Sequence, residues 1–146
     1  MRFIKEVGAI LSLEREILRW VEGTVSLVEF PQKLTWDLHR ASPGIVWGFT
    51  HIHPPGMTDL SYEDETTCRA WAMALYPFPI RFITVTELNG IFVETTFIGQ
   101  LESMDEWLAR GKEGSRKFTC DIENQQEIDI HDGNYYANFL WRRAYE

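Results

Sequence analysis

The chain has 146 residues, a length that fits one domain and lets roughly two thirds of the unfolded surface be buried on folding. Its 45% apolar residues, six Trp and nine Phe among them, exclude a disordered chain. A net charge of −8 argues against phosphate backbones and anionic lipid as partners, so neither nucleic acid nor membrane is expected.

Two cysteines, Cys68 and Cys120, are too few for a disulfide framework or a four-cysteine zinc site and point to a reducing compartment. No apolar run approaches the roughly 20 residues of a membrane span, and the start carries no signal-peptide pattern. The expectation is a cytoplasmic single domain over residues 1–146.

In chain order, Val7 to Leu13, Ile17 to Val21 and Thr24 to Phe30 have strand composition and short polar breaks, which predicts an antiparallel meander. Gln32 to Ala41 reads as a short helix stopped by Ser42-Pro43-Gly44. Gly44 to His53 is the next strand, ended by Pro54-Pro55-Gly56. Ser61 to Leu75 is the clearest helix, with Ser61 and Asp64 spaced as a capping box and Glu63 and Glu65 in the first turn. Ile80 to Leu88 and Ile91 to Ile98 flank Asn89-Gly90 as a hairpin. Ser103 to Arg110 reads as a helix, Lys117 to Ile122 as a strand and Asn134 to Tyr145 as a final aromatic helix. Mixed strands and helices with adjacent hairpins predict an α+β fold, a curved and mainly antiparallel sheet flanked by helices.

Alternation along the fourth strand places His51 and His53 on one face with Trp47 and Phe49, and turns Ile52 away. Two imidazoles so placed suit a metal, although an isolated His-x-His also occurs as a hydrogen-bonded loop pair. On the following helix Asp64 is in register with Cys68, Trp71, Ala72 and Leu75, the apolar face, so periodicity turns its carboxylate inward. A buried carboxylate is costly unless it is paired or binds a cation. It also stands where it could simply cap its own helix. Two neutral imidazoles and one carboxylate make a three-ligand set that leaves one zinc position open. His51-x-His53, Ser61 and Asp64 together occur by chance in about one of several thousand chains of this length.

This string resembles the JAB/MPN family, whose active members are the JAMM metalloproteases. His51-Ile-His53-Pro54 is similar to its His-x-His-Pro segment, Ser61-Tyr-Glu-Asp64 to its Ser-x-x-Asp, and Gly44 to Thr50 to the strand before them. Glu6-Val-Gly-Ala-Ile-Leu11 resembles the segment carrying the family's glutamate, in its minimal prokaryotic form. The resemblance covers Glu6 to Leu88 and implies that His51, His53 and Asp64 bind zinc, that Glu6 is the general acid/base, and that Ser61 stabilises an oxyanion. The same hydroxyl reads, on its position alone, as an ordinary N-cap.

The chain departs from the pattern in carrying Ile52 between the histidines, Leu60 before the serine and Ala9 for a common Gly. Only five residues precede Glu6, so the helix that usually leads into the glutamate has no counterpart here. Glu14 and Glu16 are the alternative bases, and both read as charges on a solvated turn. For function, the resemblance implies hydrolysis of a peptide or isopeptide bond at the C-terminal tail of a ubiquitin-like or small tailed protein. The alternative is a catalytically silent MPN-type interaction scaffold. A cupin would carry a Glu shortly after His53, where Met57 and Thr58 stand, and an amidohydrolase barrel needs a longer chain.

The remaining candidates read as structural. His39 is expected at the surface, His131-Asp132-Gly133 as a turn, and Cys68 and Cys120 as small buried hydrophobes. Tyr135, Tyr136, Phe139, Leu140 and Trp141 are expected to dock the last helix on the core.

Overall fold

A computed structural model describes residues 1–146. Strands β1 (Val7–Leu11), β2 (Ile17–Glu22), β3 (Gly48–Ile52), β4 (Ile80–Leu88), β5 (Ile91–Leu101) and β6 (Phe118–Ile128) form one sheet. Their order is β2-β1-β3-β4-β5-β6, and every neighbouring pair is antiparallel except β3 with β4. The helices are α1 (Gln32–Ala41), α2 (Tyr62–Ala74), α3 (Met104–Ala109) and α4 (Tyr136–Ala144). The fold is α+β, a mainly antiparallel sheet with helices on both faces. No helix is long and apolar enough to cross a membrane.

Local chemistry explains the joints. Asn89 and Gly90 both take positive φ, 51° and 87°, as a two-residue hairpin turn between right-twisted strands requires. Ser61 caps α2 through its side chain while Asp64 reaches back to the Ser61 N–H, a complete capping box. Beyond α2, Pro77 and Pro79 bar further helix.

The sheet buries both faces. On one, Ile10, Phe49, Phe82 and Phe97 pack with Cys68 and Trp71 of α2 and with Leu75, its C-cap. On the other, Val7, Ala9, Leu11, Ile52, Ile83 and Val85 pack with Tyr136, Ala137, Leu140 and Ala144 of α4. The terminal aromatics therefore dock on the core as expected.

Several expectations need correction. Thr24 to Phe30 is not a strand: β2 remains the edge of the sheet, and this segment instead folds over the sheet face. Glu6 and Thr24 keep one backbone bond, Thr24 then turns onto the Leu27 carbonyl, and Phe30 lands on Phe49 and Phe82. Trp47 does not share the Phe49 face; it precedes β3 and packs against the opposite cluster, with Arg15 and Arg81 over its ring. His39 is half-buried, its ring edge-on to Trp36 and Phe78. Strand β6 runs six residues beyond Ile122, since the full length of β5 offers it a ladder and its polar residues face solvent at the sheet edge. At that edge Cys120 is only half-buried, whereas Cys68 is fully enclosed.

Candidate metal centre

The site forms at the C-terminal end of β3. In the β1–β3 register Gly8 faces His51, and continuing that ladder sets Glu6 opposite His53. Alternation then puts Glu6, His51 and His53 on one face. Gly8 supplies no side chain between them, and the space is filled by Phe30: a methyl on Gly8 would lie 3.0 Å from the Phe30 ring and 2.9 Å from the Thr50 carbonyl oxygen. His51 is fully buried, His53 and Glu6 nearly so.

The first turn of α2 brings the fourth group. Asp64 Oδ2 lies 3.1 Å from His51 Nε2 and 3.1 Å from His53 Nε2, and accepts the Ser61 N–H at 3.1 Å. The positive end of the helix favours a carboxylate at this position. Glu6 Oε1 is 4.0 Å from His51 Nε2, and the ligand atoms of Glu6, His51 and His53 lie within 4.8 Å of one another. This buried group of two imidazoles and a carboxylate can hold a metal ion, and Asp64 touches both imidazoles of it.

Separations test the fit. Tetrahedral zinc with bonds of about 2.0–2.1 Å sets its ligand atoms about 3.3 Å apart. The two Asp64–imidazole distances of 3.1 Å come close to that edge, and the 4.0 Å of Glu6 exceeds it. Nitrogen with carboxylate oxygen is also a donor set suited to zinc and its first-row neighbours. Two imidazoles and a carboxylate fit a divalent ion, and both Glu6 and Asp64 stand close enough to the imidazoles to complete the set.

The two imidazoles are held differently. His53 Nδ1 donates to the Met57 carbonyl at 2.9 Å, so the doubly protonated ring also donates from Nε2 to Asp64, and the neutral ring presents Nε2 as its lone-pair nitrogen. Thr86 Oγ1 donates to the same carbonyl at 2.7 Å, and Thr84 Oγ1 donates to the Thr58 carbonyl at 3.0 Å. Two buried threonines of β4 thus fasten the loop that orients His53. His51 Nδ1 has no partner, so that ring is positioned by Asp64 at Nε2 and by packing against His53 and Phe82.

Electrostatics follow from burial and proximity. Burial pushes the Glu6 carboxyl up to about 7, with the Asp64 charge adding to the rise and His53 partly opposing it. Burial would also raise Asp64, but hydrogen bonds from His51 and His53 outweigh it and hold the carboxyl well below the usual range. Burial lowers His51; for His53 the bonds to Asp64 and to the Met57 carbonyl overcome burial and raise it.

The structure brings Glu6, His51, His53, Ser61 and Asp64 together, and leaves the alternative bases out: Glu14 and Glu16 are exposed beyond the far end of β1. Ser61 Oγ accepts the Asp64 N–H at 3.1 Å, so it serves as an N-cap, and its own proton stays free to donate. Thr84 and Thr86 were not anticipated, although their period-two spacing repeats that of His51 and His53 on the neighbouring strand. A groove of about 660 Å³, lined by Leu27, Val28, Phe30, Tyr62 and Trp71, opens beside the start of α2. A larger one of about 890 Å³ lies between the β1–β2 turn and α4 and includes no residue of the metal centre. No protein-family model, curated protein or solved structure matches this chain.

Proposed function

We propose that this chain is a metal-dependent peptidase or isopeptidase of the JAB/MPN (JAMM) type, using zinc to hydrolyse an amide bond at the C-terminal tail of a ubiquitin-like or small tailed protein. The observation that carries this reading is the single Asp64 oxygen 3.1 Å from both imidazole Nε2 atoms, with the buried Glu6 on the same face. His51, His53 and Asp64 would hold the ion. When bound, zinc acts as a Lewis acid that acidifies water and polarises a carbonyl.

The chain's own groups supply the remaining roles. Glu6 takes a proton from the attacking water on Oε1 and returns it to the leaving amine. Ser61 donates its free hydroxyl proton to the carbonyl oxygen as negative charge grows there; losing one such donor costs ~10²–10³ in rate. Asp64 and the Met57 carbonyl keep the imidazoles oriented. The groove between residues 27–30 and α2 suits an extended tail, since the backbone of that segment belongs to no strand and can pair with an added one.

The test measures bound zinc and cleavage of ubiquitin-like fusions for the wild type, Glu6→Gln and Asp64→Ala. Asp64→Ala is expected to lose metal, and Glu6→Gln to keep metal and lose hydrolysis. Glu6→Gln cleaving like the wild type would refute the assignment of the base. Loss of metal by Glu6→Gln but not by Asp64→Ala would make Glu6 the ligand. Bound zinc without hydrolysis of any tailed substrate would favour the scaffold.

A further inference from the structure

Outside the metal centre, the chain's only two cysteines meet. Cys68 lies on the buried face of α2, and Cys120 stands on edge strand β6. Both belong to the same apolar cluster. Their contact is built through Gly99 of β5, the cross-strand partner of Cys120. A methyl on Gly99 would sit 2.5 Å from Cys68 Sγ, so that sulfur occupies the place a Gly99 side chain would fill. Directly opposed residues in an antiparallel pair hold their Cβ atoms about 4.5–5.5 Å apart on one face. Cys68 Sγ therefore stands to Cys120 as a cross-strand neighbour would.

We propose that Cys68 and Cys120 form a peroxide-sensitive dithiol, which closes to a disulfide cross-linking α2 to β6 one helical turn from Asp64. Half-buried Cys120 is open to a small oxidant, whereas Cys68 is enclosed behind it. Its exposure makes Cys120 the attacking sulfur, and the neighbouring Cys68 thiol lowers Cys120 from its ordinary range while Cys68 is itself raised.

In the first step the Cys120 sulfur attacks one oxygen of hydrogen peroxide and the O–O bond breaks. The second oxygen leaves as water, with the thiol proton, and Cys120 becomes a sulfenic acid. Cys68 sulfur then attacks Cys120 sulfur, the S–O bond breaks, and that oxygen leaves as water with the Cys68 proton. Two thiols give up two electrons and two hydrogens, and one peroxide is reduced to two waters. The resulting bond ties the helix that carries Ser61 and Asp64 to the β5–β6 pair, whatever reaction the metal centre performs.

The test exposes the purified 146-residue chain to hydrogen peroxide, alkylates the remaining thiols with N-ethylmaleimide, and reads intact mass and non-reducing peptide maps. The expected product has lost two hydrogens, takes up no maleimide, joins the Cys68 and Cys120 peptides within one chain, and reverts with dithiothreitol. Cys68→Ser, checked for native circular dichroism, should leave a sulfenic acid on Cys120 that dimedone traps. Cys120→Ser should leave Cys68 unlabelled under the same exposure. Sulfinic acid on Cys120 with Cys68 still alkylated, a cross-link between two chains, or unreacted thiols would each overturn the proposal.

Discussion

Replacing Thr86 by Val removes one hydroxyl and nearly nothing else, and it should weaken metal binding from a distance. Thr86 is fully buried and gives its proton to the Met57 carbonyl at 2.7 Å; the same carbonyl receives His53 Nδ1–H at 2.9 Å. Valine keeps the shape and leaves the carbonyl one partner, so the stability lost is that of one hydrogen bond, about 0.5–1.5 kcal/mol. In a domain of this size that lowers Tm by roughly 2–5 °C. The effect on the site is larger, because the loop that presents the carbonyl loses its anchor and His53 its fixed orientation. Partners of this kind typically cost 10–100-fold in metal affinity when lost, about 1.4–2.7 kcal/mol. Competition with a chromophoric chelator measures the affinity, and nitrogen shifts of His53 report its tautomer in the metal-free protein. Thr84→Val is the control: it removes a similar bond, 3.0 Å to the Thr58 carbonyl, without touching the His53 partner. Thr86→Ser should restore affinity. An affinity within twofold of wild type for Thr86→Val, or equal losses for the two valine variants, would refute control of His53 through Met57.

Three other outcomes follow from the packing. Tyr136→Phe strips one phenol donor from Glu94, a buried carboxyl also bonded by Tyr135 at 2.6 Å and Gln126 at 2.9 Å; urea titration should show a loss of ~1–3 kcal/mol. Gly99→Ala forces a methyl against Cys68 Sγ and should cost about 1–3 kcal/mol, most of it recovered in the double variant with Cys68→Ala. Burial and neighbouring carboxyls raise the phenols of Tyr135, Tyr136 and Tyr145 above their ordinary value. The unfolded chain would ionise near pH 10 while the native one stays protonated, so stability is retained below pH 10 and falls as pH rises beyond it. Phenolate absorbance from these residues should appear together with loss of circular dichroism; a full titration near pH 10 with the fold intact would refute this.

What could be read without coordinates was whatever depends on neighbours within a few residues. Alternation placed His51 and His53 together, the helical repeat turned Asp64 to the side of Cys68 and Trp71, and Asn89-Gly90 announced its hairpin. Long-range competition was not legible. Thr24 to Phe30 has the composition of a strand, yet it leaves the β2 edge unpaired and folds over the sheet, where Phe30 packs on Phe49 and Phe82. Trp47 obeys the alternation of its neighbours only if the strand starts before it, and β3 starts after it. The meeting of Cys68 with Cys120 depends on a glycine in a third element, a juxtaposition that no local period encodes.

The one parallel pair in the sheet explains why the groups converge. A chain leaving β3 must cross over before it can enter β4 alongside it, and α2 is that crossover. The crossover begins where β3 ends, so the first turn of α2, with Ser61 and Asp64, stands over the strand's C-terminal end. Antiparallel β1 on the other side begins at that same end, which brings Glu6 there. His51, the last inward-facing position of β3, and His53, one residue past its end, lie between them. An antiparallel β3–β4 hairpin would have carried the chain away through a short turn and left the two imidazoles with Glu6 of the β1 flank alone. Antiparallel β1 on one flank and the crossover helix α2 that leads to parallel β4 thus each deliver a carboxylate to one pair of imidazoles, and removing either carboxylate leaves the other in place to be assayed alone.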